Sequence, residues 1–261
     1  MGRSPHRFAL ASLVVGLSAL GCSAGPIEVA TLSPDTLTTG LVAYWPLDEG
    51  SGTLADDESG NGHNGIISGP MWVAPPTAKF GSALQFSGPN YMSAGGFPFA
   101  TPSYSVSAWV FIVPNPYSGP IANIVSTDAP GGGWALYANF GPSGDGYEFH
   151  FFSQAAPQGY ASAACNTCFV PGSWVHLAAV VDGDASTLTL YVNGAPAKVT
   201  TTPTAILPGS STLYLARSAA LNPAFPLAGF VDDVAIYSRA LVGEEVAQLA
   251  QAPVLPTPPT Q

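Results

Sequence analysis

Apolar residues recur at every second position through several short stretches of this chain. In residues 105–112, Val106, Ala108, Val110 and Ile112 fall on one face, and Ser107, Trp109 and Phe111 on the other. Side chains alternate across a strand, so the pattern predicts a strand with two distinct faces. Thr187–Val192 repeats it with Leu188, Leu190 and Val192, then stops at Asn193-Gly194. That dipeptide tolerates the positive φ of a tight hairpin turn. Trp174–Asp182 is apolar on both faces, as a strand buried between layers must be. Residues 133–140, 147–152 and 212–216 also read as strands, and Gly243–Leu249 as the one short helix. The stretch 41–65 opens as a strand, Leu-Val-Ala-Tyr-Trp-Pro-Leu, and breaks into a loop rich in Gly, Asp, Asn and Ser. Residues 229–241 supply a matching strand near the other end.

The ends of the chain read differently. Arg3, His6 and Arg7 precede an apolar run from Phe8 to Leu20, which is shorter than the ~18 residues of a membrane span. Residues 1–22 are therefore predicted to be a signal segment. The run closes on Ala19-Leu20-Gly21-Cys22, which resembles a bacterial lipobox and implies a lipid on Cys22. An ordinary secretory signal, with Cys22 incidental, is the alternative. Ser23 stands where an Asp would resemble an inner-membrane retention signal, so outer-membrane or surface attachment is expected in a source with two membranes. Residues 23–39 carry Pro and Ser/Thr without apolar period and predict a flexible tether. Residues 251–261 are Pro-rich and predict a disordered tail. Residues 40–250 are left as one domain of all-β size.

Composition supports many strands joined by turns. Gly (29) and Pro (26) are abundant, and charged residues are only 8%. The net charge of −10, with six Lys and Arg in total, leaves no basic patch for nucleic acid and disfavours polyanions. With Cys22 set aside, Cys165 and Cys168 remain in an exported chain, and a local disulfide is expected. Their surroundings, Tyr-Ala-Ser-Ala-Ala-Cys-Asn-Thr-Cys-Phe-Val-Pro-Gly, read as a small-residue loop with no βαβ pattern for a redox motif.

Seven segments occur in order between Leu41 and Leu249: AYWPLDEGSG, DESGNG, KFGSALQFSG, YSVSAWV, GSWVHLAAVVDG, LTLYVNG and GFVDDVAIYSRAL. Together they resemble a laminin-G-like domain of the concanavalin A-like lectin/glucanase superfamily. The resemblance implies an all-β, two-sheet antiparallel jelly-roll sandwich. It also implies a structural calcium ion (Ca2+) held by Asp57, Asn61 and Asp232, where the opening loop meets the closing strand. Asp232 shares strand parity with Val234 and Ile236, which face an apolar layer, so an inward carboxylate there needs a partner. The bland alternative is that Asp57 and Asn61 only cap a turn and that Asp232 bonds to backbone amides. Phe86-Ser87-Gly88 departs from the Phe-Asp-Gly of many relatives and removes one ligand. His176, following Trp174, matches a structural histidine of the family motif.

Strand parity supplies a candidate ligand face. Tyr137 and Asn139 on one strand, and Glu148 and His150 on the next, point away from the core. Aromatic rings with amide and carboxylate neighbours suit sugar rings; ordinary cross-strand pairs are the alternative. Adjacent acids occur at Asp48-Glu49, Asp56-Asp57-Glu58, Asp232-Asp233 and Glu244-Glu245. None forms the Glu-x-Asp-x-x-Glu strand of jelly-roll glucanases, and no Gly-x-Ser-x-Gly occurs within residues 40–250. The expectation is a non-catalytic surface module for a glycan or an extracellular protein. A glycoside hydrolase or polysaccharide lyase is the alternative, and a purely structural envelope lipoprotein a third. Labelling with a fatty-acid analogue should mark the wild-type chain and miss Cys22→Ser; equal labelling of both contradicts acylation.

Overall fold

The computed structural model describes residues 34–75, 77–97, 101–113, 121–129, 132–139, 148–155, 159–168, 170–201, 209–218 and 226–254. The side chains of residues 34–35, 148 and 152–160 lie outside that description, as do Cys22, residues 23–33 of the tether and residues 255–261 of the tail. In chain order the elements begin with α1 (Pro34–Thr38), β1 (Leu41–Trp45), β2 (Leu54–Ala55), β3 (Gly65–Ser68), β4 (Met71–Val73), β5 (Ala83–Phe86), β6 (Tyr91–Gly95) and β7 (Tyr104–Ile112). They continue with β8 (Ile121–Ser126), β9 (Trp134–Asn139), β10 (Glu148–Ala155), β11 (Gly159–Cys165), β12 (Trp174–Asp182) and β13 (Thr187–Val192). The last are β14 (Ala195–Thr201), β15 (Thr212–Leu215), β16 (Gly229–Tyr237) and α2 (Gly243–Leu249).

The strands form two antiparallel sheets of eight. The first is ordered β14-β13-β12-β7-β16-β5-β4, with β1 also paired to β16; the second is ordered β11-β10-β9-β8-β15-β6-β3-β2. This is the predicted jelly-roll sandwich. Alternation sends Val106, Val110, Leu177, Leu190, Val231 and Ile236 inward from the first sheet, to meet Trp134, Leu136, Phe149, Phe151 and Leu213 from the second. Tyr104, Trp134 and Phe151 stack across the gap, with Trp134 centroids 6.0 and 5.8 Å from the other two. Of the run read as a small-residue loop, 160–172, the first part is instead strand β11, which ends at Cys165. Ala161, Ala163 and Cys165 take its inward positions, and such small side chains give too weak an alternation to read. Cys165 and Cys168 are disulfide-bonded at its end, with Cα atoms 5.6 Å apart.

Part of the first sheet's outer face carries a second, smaller core. Tyr44, Ala178, Val180, Ala235 and Tyr237 are covered there by Leu37, Leu241, Val246, Leu249 and Val254. Both ends of the domain are therefore packed on one patch. Arg239 ties them. Its Nε donates to the Thr39 carbonyl and one terminal nitrogen to that of Thr36, each at 2.7 Å. Its two terminal nitrogens also clasp Glu245 at 2.7 Å each. Glu245 accepts the Val242 N–H at the start of α2 as well. Residues 34–38 of the expected tether thus form a helical turn with Leu37 buried, because Leu37 finds the apolar patch that α2 leaves uncovered.

The middle of β16 changes phase. Asp232 is opposite Trp109 and Ala235 opposite Ser107, so Asp233 and Val234 share the single partner position of Ala108. Asp233 takes φ 46°, and the strand bulges. Val234 and Ile236 enter the main core, whereas Asp232 turns to the outer face, contrary to the parity of an unbroken strand. There it is fully buried under residues 77–82. Its Oδ2 accepts the N–H groups of Lys79 and Phe80, and its Oδ1 that of Asp233, all at 3.0 Å. Asp48 accepts the Ser82 N–H at 2.7 Å. A Cβ on Gly81 would lie 1.8 Å from Asp48 Oδ1, so only glycine allows that approach. Tyr44 OH donates to Asp233 Oδ1.

Burial pushes the Asp232 carboxyl up to about 9, with the neighbouring Asp233 charge adding to the rise. Burial likewise lifts Asp233 to about 7, against the hydrogen bond from Tyr44. An acid raised in the folded state binds its proton more tightly there than in the unfolded chain, where the value is about 3.9. The stabilisation is complete below that value and is lost as pH rises through 7 and then 9. The melting temperature should therefore fall between pH 5 and pH 9. Asp233→Asn, which keeps the acceptor for Tyr44, should flatten the decline; an unchanged slope by calorimetry contradicts the assignment.

Candidate binding faces

The opening loop is closed by its own side chains. Asp57 Oδ1 accepts the N–H groups of Tyr44 and Ser59 at 3.0 Å, and Oδ2 accepts that of His63 at 2.8 Å. Burial alone would raise the Asp57 carboxyl, but these bonds outweigh it and hold it below the usual range. Asn61 Nδ2 donates to the carbonyls of Leu41 and Val42, at 3.0 and 2.9 Å, and so fastens the loop to β1. The Asp57 N–H is taken by Asn64.

Asp57 and Asn61 share no hydrogen-bond partner with Asp232. Both oxygens of Asp57 and both of Asp232 accept backbone N–H groups, and the two sets of donors share no residue. Calcium wants six to eight oxygens turned toward one point. Among the described residues, no three of His, Cys, Asp and Glu are grouped to hold a metal ion. The arrangement of these three side chains is that of turn caps and amide acceptors, so they do not fit the ion as placed.

The outer face of the first sheet beyond the small core is aromatic. Phe111 lies edge-on to Trp174 and to Phe230, with centroids 5.9 and 5.4 Å away. All three rings are half-buried. The Trp174 indole N–H donates to the Thr77 carbonyl. Beside them Lys79 Nζ sits 3.8 Å from the centre of the Trp109 ring. His176 is buried against Trp109 and bonded to Ser107 Oγ at 2.8 Å; burial depresses it to about 3, so it is a neutral core group. This cluster was not picked out from the sequence. The signal was present in the parity of Trp109 and Phe111, but the three strands that meet here are distant in the chain.

The outer face of the second sheet carries the expected candidates. Tyr137 and His150 are cross-strand partners on β9 and β10, with ring centroids 4.8 Å apart and tilted by 30°. The Tyr137 hydroxyl and His150 Nδ1 are hydrogen-bonded at 2.8 Å. Asn139 is half-buried at the end of β9, opposite Glu148, whose side chain lies outside the described residues. The β8 strand separates this group from Tyr214 on β15. Tyr214 packs edge-on against Tyr91 of β6 at 6.0 Å, and Arg217 lies over both rings. This second group was also missed, because a lone Arg after a short strand carries no motif.

The family model of the concanavalin A-like lectin/glucanases superfamily matches residues 86–247, more than half of the chain. A search of the curated proteins finds no match. Among solved structures, the binding domain of Paraclostridial Mosquitocidal Protein 1 superposes with a TM-score of 0.64 at 16% identity, over 82% of this chain and 52% of that one. The botulinum neurotoxin serotype D ligand binding domain, solved with N-acetylneuraminic acid, gives 0.64 at 13% identity, over 84% and 52%. This chain thus spans about half the length of both. Domain 4 of AbnA, an extracellular arabinanase from Geobacillus stearothermophilus solved with arabinotriose, gives 0.60 at 23% identity, over 81% of this chain and 98% of that domain. These likenesses agree with the two-sheet fold, and the family match places the chain in the concanavalin A-like lectin/glucanase superfamily.

Proposed function

We propose that the domain is a non-catalytic carbohydrate-binding module of the cell envelope, exported behind residues 1–22 and anchored by lipid on Cys22. The observation that carries the reading is the outer face of the second sheet, where Tyr137 and His150 form one hydrogen-bonded aromatic pair beside Asn139. Sugars present apolar ring faces and hydroxyl edges, and sites for small ligands combine aromatic walls with a few placed polar groups. That arabinotriose and N-acetylneuraminic acid are bound by proteins of like fold supports the same class of ligand.

The acids support a non-catalytic reading. A glycosidase of the usual kind needs two carboxylates free to flank one bond. Here Asp48, Asp57, Asp232 and Glu245 each accept backbone N–H groups that shape the fold. A second reading, an extracellular protein partner, is favoured by Phe111, Trp174 and Phe230, whose half-buried rings resemble the aromatic anchors of protein interfaces.

A glycan array on the full-length chain, followed by calorimetry, tests the reading. Bound oligosaccharide should be recovered uncleaved, and Tyr137→Ala should weaken binding about tenfold, the equivalent of roughly 1.4 kcal/mol, with an unchanged melting temperature. Release of reducing ends or unsaturated products contradicts it in favour of the hydrolase or lyase. Protein stripped of metal should melt identically with calcium and with chelator, because Asp57 and Asp232 already hold backbone partners. A calcium-dependent rise of several degrees would return the ion to the opening loop.

A further inference from the structure

We propose that Arg217, with Tyr91 and Tyr214, forms a subsite for a carboxylate-bearing sugar residue on the outer face of the second sheet. The proposal rests on the carbohydrate-binding reading above and names the chemistry of one end of that face.

Arg217 has an unusual setting for this chain. Its guanidinium lies 4.7 Å from the Tyr91 ring centre and 5.5 Å from that of Tyr214. Among the described residues it makes no ion pair, and its Nε is buried without a hydrogen-bond partner. The chain has 16 Asp and Glu against 6 Lys and Arg, so a cation left without a carboxylate is not explained by a shortage of acids. Arg239 shows the contrast, since it clasps Glu245 with both terminal nitrogens. Asp128 accepts the hydroxyl of Ser218, the residue after Arg217, and forms no ion pair with Arg217 among the described residues.

The backbone fixes Arg217 in place. Ala216 takes φ 62°, bending the chain as β15 ends, and the Ser126 hydroxyl holds the Arg217 carbonyl at 2.7 Å. Two tyrosine rings lie against the guanidinium. A planar fork of N–H donors held in this way matches a carboxylate in two-pronged geometry. The adjoining rings supply apolar area for a sugar, and their hydroxyls can meet its edge. An isolated arginine in a chain of net charge −10 suits one carboxylate on an otherwise neutral glycan, and disfavours a polyanion.

The subsite shares the second sheet's outer face with the Tyr137 group. Tyr214 is opposite Ser126, which is opposite Ala135, two residues from Tyr137. With strands ~4.8 Å apart and a rise of ~3.3 Å per residue, Tyr214 and Tyr137 stand roughly 12 Å apart. Ser126 and Ala135 between them are fully buried, so the Arg217 subsite stands apart from the Tyr137 group.

The test titrates the full-length chain with trigalacturonate and with its methyl ester, which keeps the rings and removes the charge. The acid should bind at least tenfold more tightly than the ester. Arg217→Met should abolish that preference, and Arg217→Lys should restore only part of it, both with wild-type melting temperatures. Tyr91→Ala should weaken acid and ester alike. Equal binding of acid and ester overturns the subsite and leaves the carbohydrate reading standing. An acid preference that survives Arg217→Met overturns it too. Tighter binding of an N-acetylated triglutamate peptide than of the sugar moves Arg217 to a protein partner. Failure to bind either sugar, or any sugar on the array, overturns both.

Discussion

The arrangement depends on one buried carboxylate. Asp232 sits on the outer side of β16, the strand that joins β1, β5 and β7, and its oxygens take the amides of Lys79, Phe80 and Asp233. A carboxyl buried in that position without those amides would be costly. The bulge at Asp233 and the loop at 79–82 therefore have to form together. The loop in turn fixes Lys79 over Trp109 and takes the Trp174 indole through Thr77, so the first sheet's aromatic cluster is edged by it. The same bulge keeps Val234 and Ile236 in the core and sends Ala235 and Tyr237 to the small outer core.

These constraints divide the outer surfaces between tasks. The first sheet's outer face is partly closed by α1, α2 and the 77–82 loop, with Arg239 joining the two ends of the domain. The second sheet's outer face is closed at Asn123, Ser126 and Ala135, which are buried. It carries Tyr137, His150, Tyr91, Tyr214 and Arg217 with polar neighbours. The acids of the opening and closing motifs bond to backbone amides of the fold.

Much of the sandwich was legible in the sequence because its central strands alternate with large side chains. The 105–112 run, Trp174–Asp182 and Thr187–Val192 stand as read. β11 was not legible, since its inward residues are Ala and Cys. The parity of Asp232 was misread because a bulge has no sequence signature, and Asp233 took positive φ without being glycine. Asp57 and Asn61 were correctly placed in one loop, but composition alone does not say whether an Asp faces an ion or an amide, and here the amides of Tyr44, Ser59 and His63 take it. Tyr137, Asn139 and His150 followed from strand parity. Arg217 could not, because its two tyrosine partners come from separate strands, one of them far earlier in the chain.

The central claim is that ligand meets the outer face of the second sheet. Amide chemical-shift mapping of the full-length chain with a sugar found on the array tests it most directly. The account predicts perturbations at Tyr137, Asn139 and His150, and at Tyr214 and Arg217 when the sugar carries a carboxylate. Perturbations centred on Phe111, Trp174 and Phe230, or on the loop from Asp57 to His63, would contradict it.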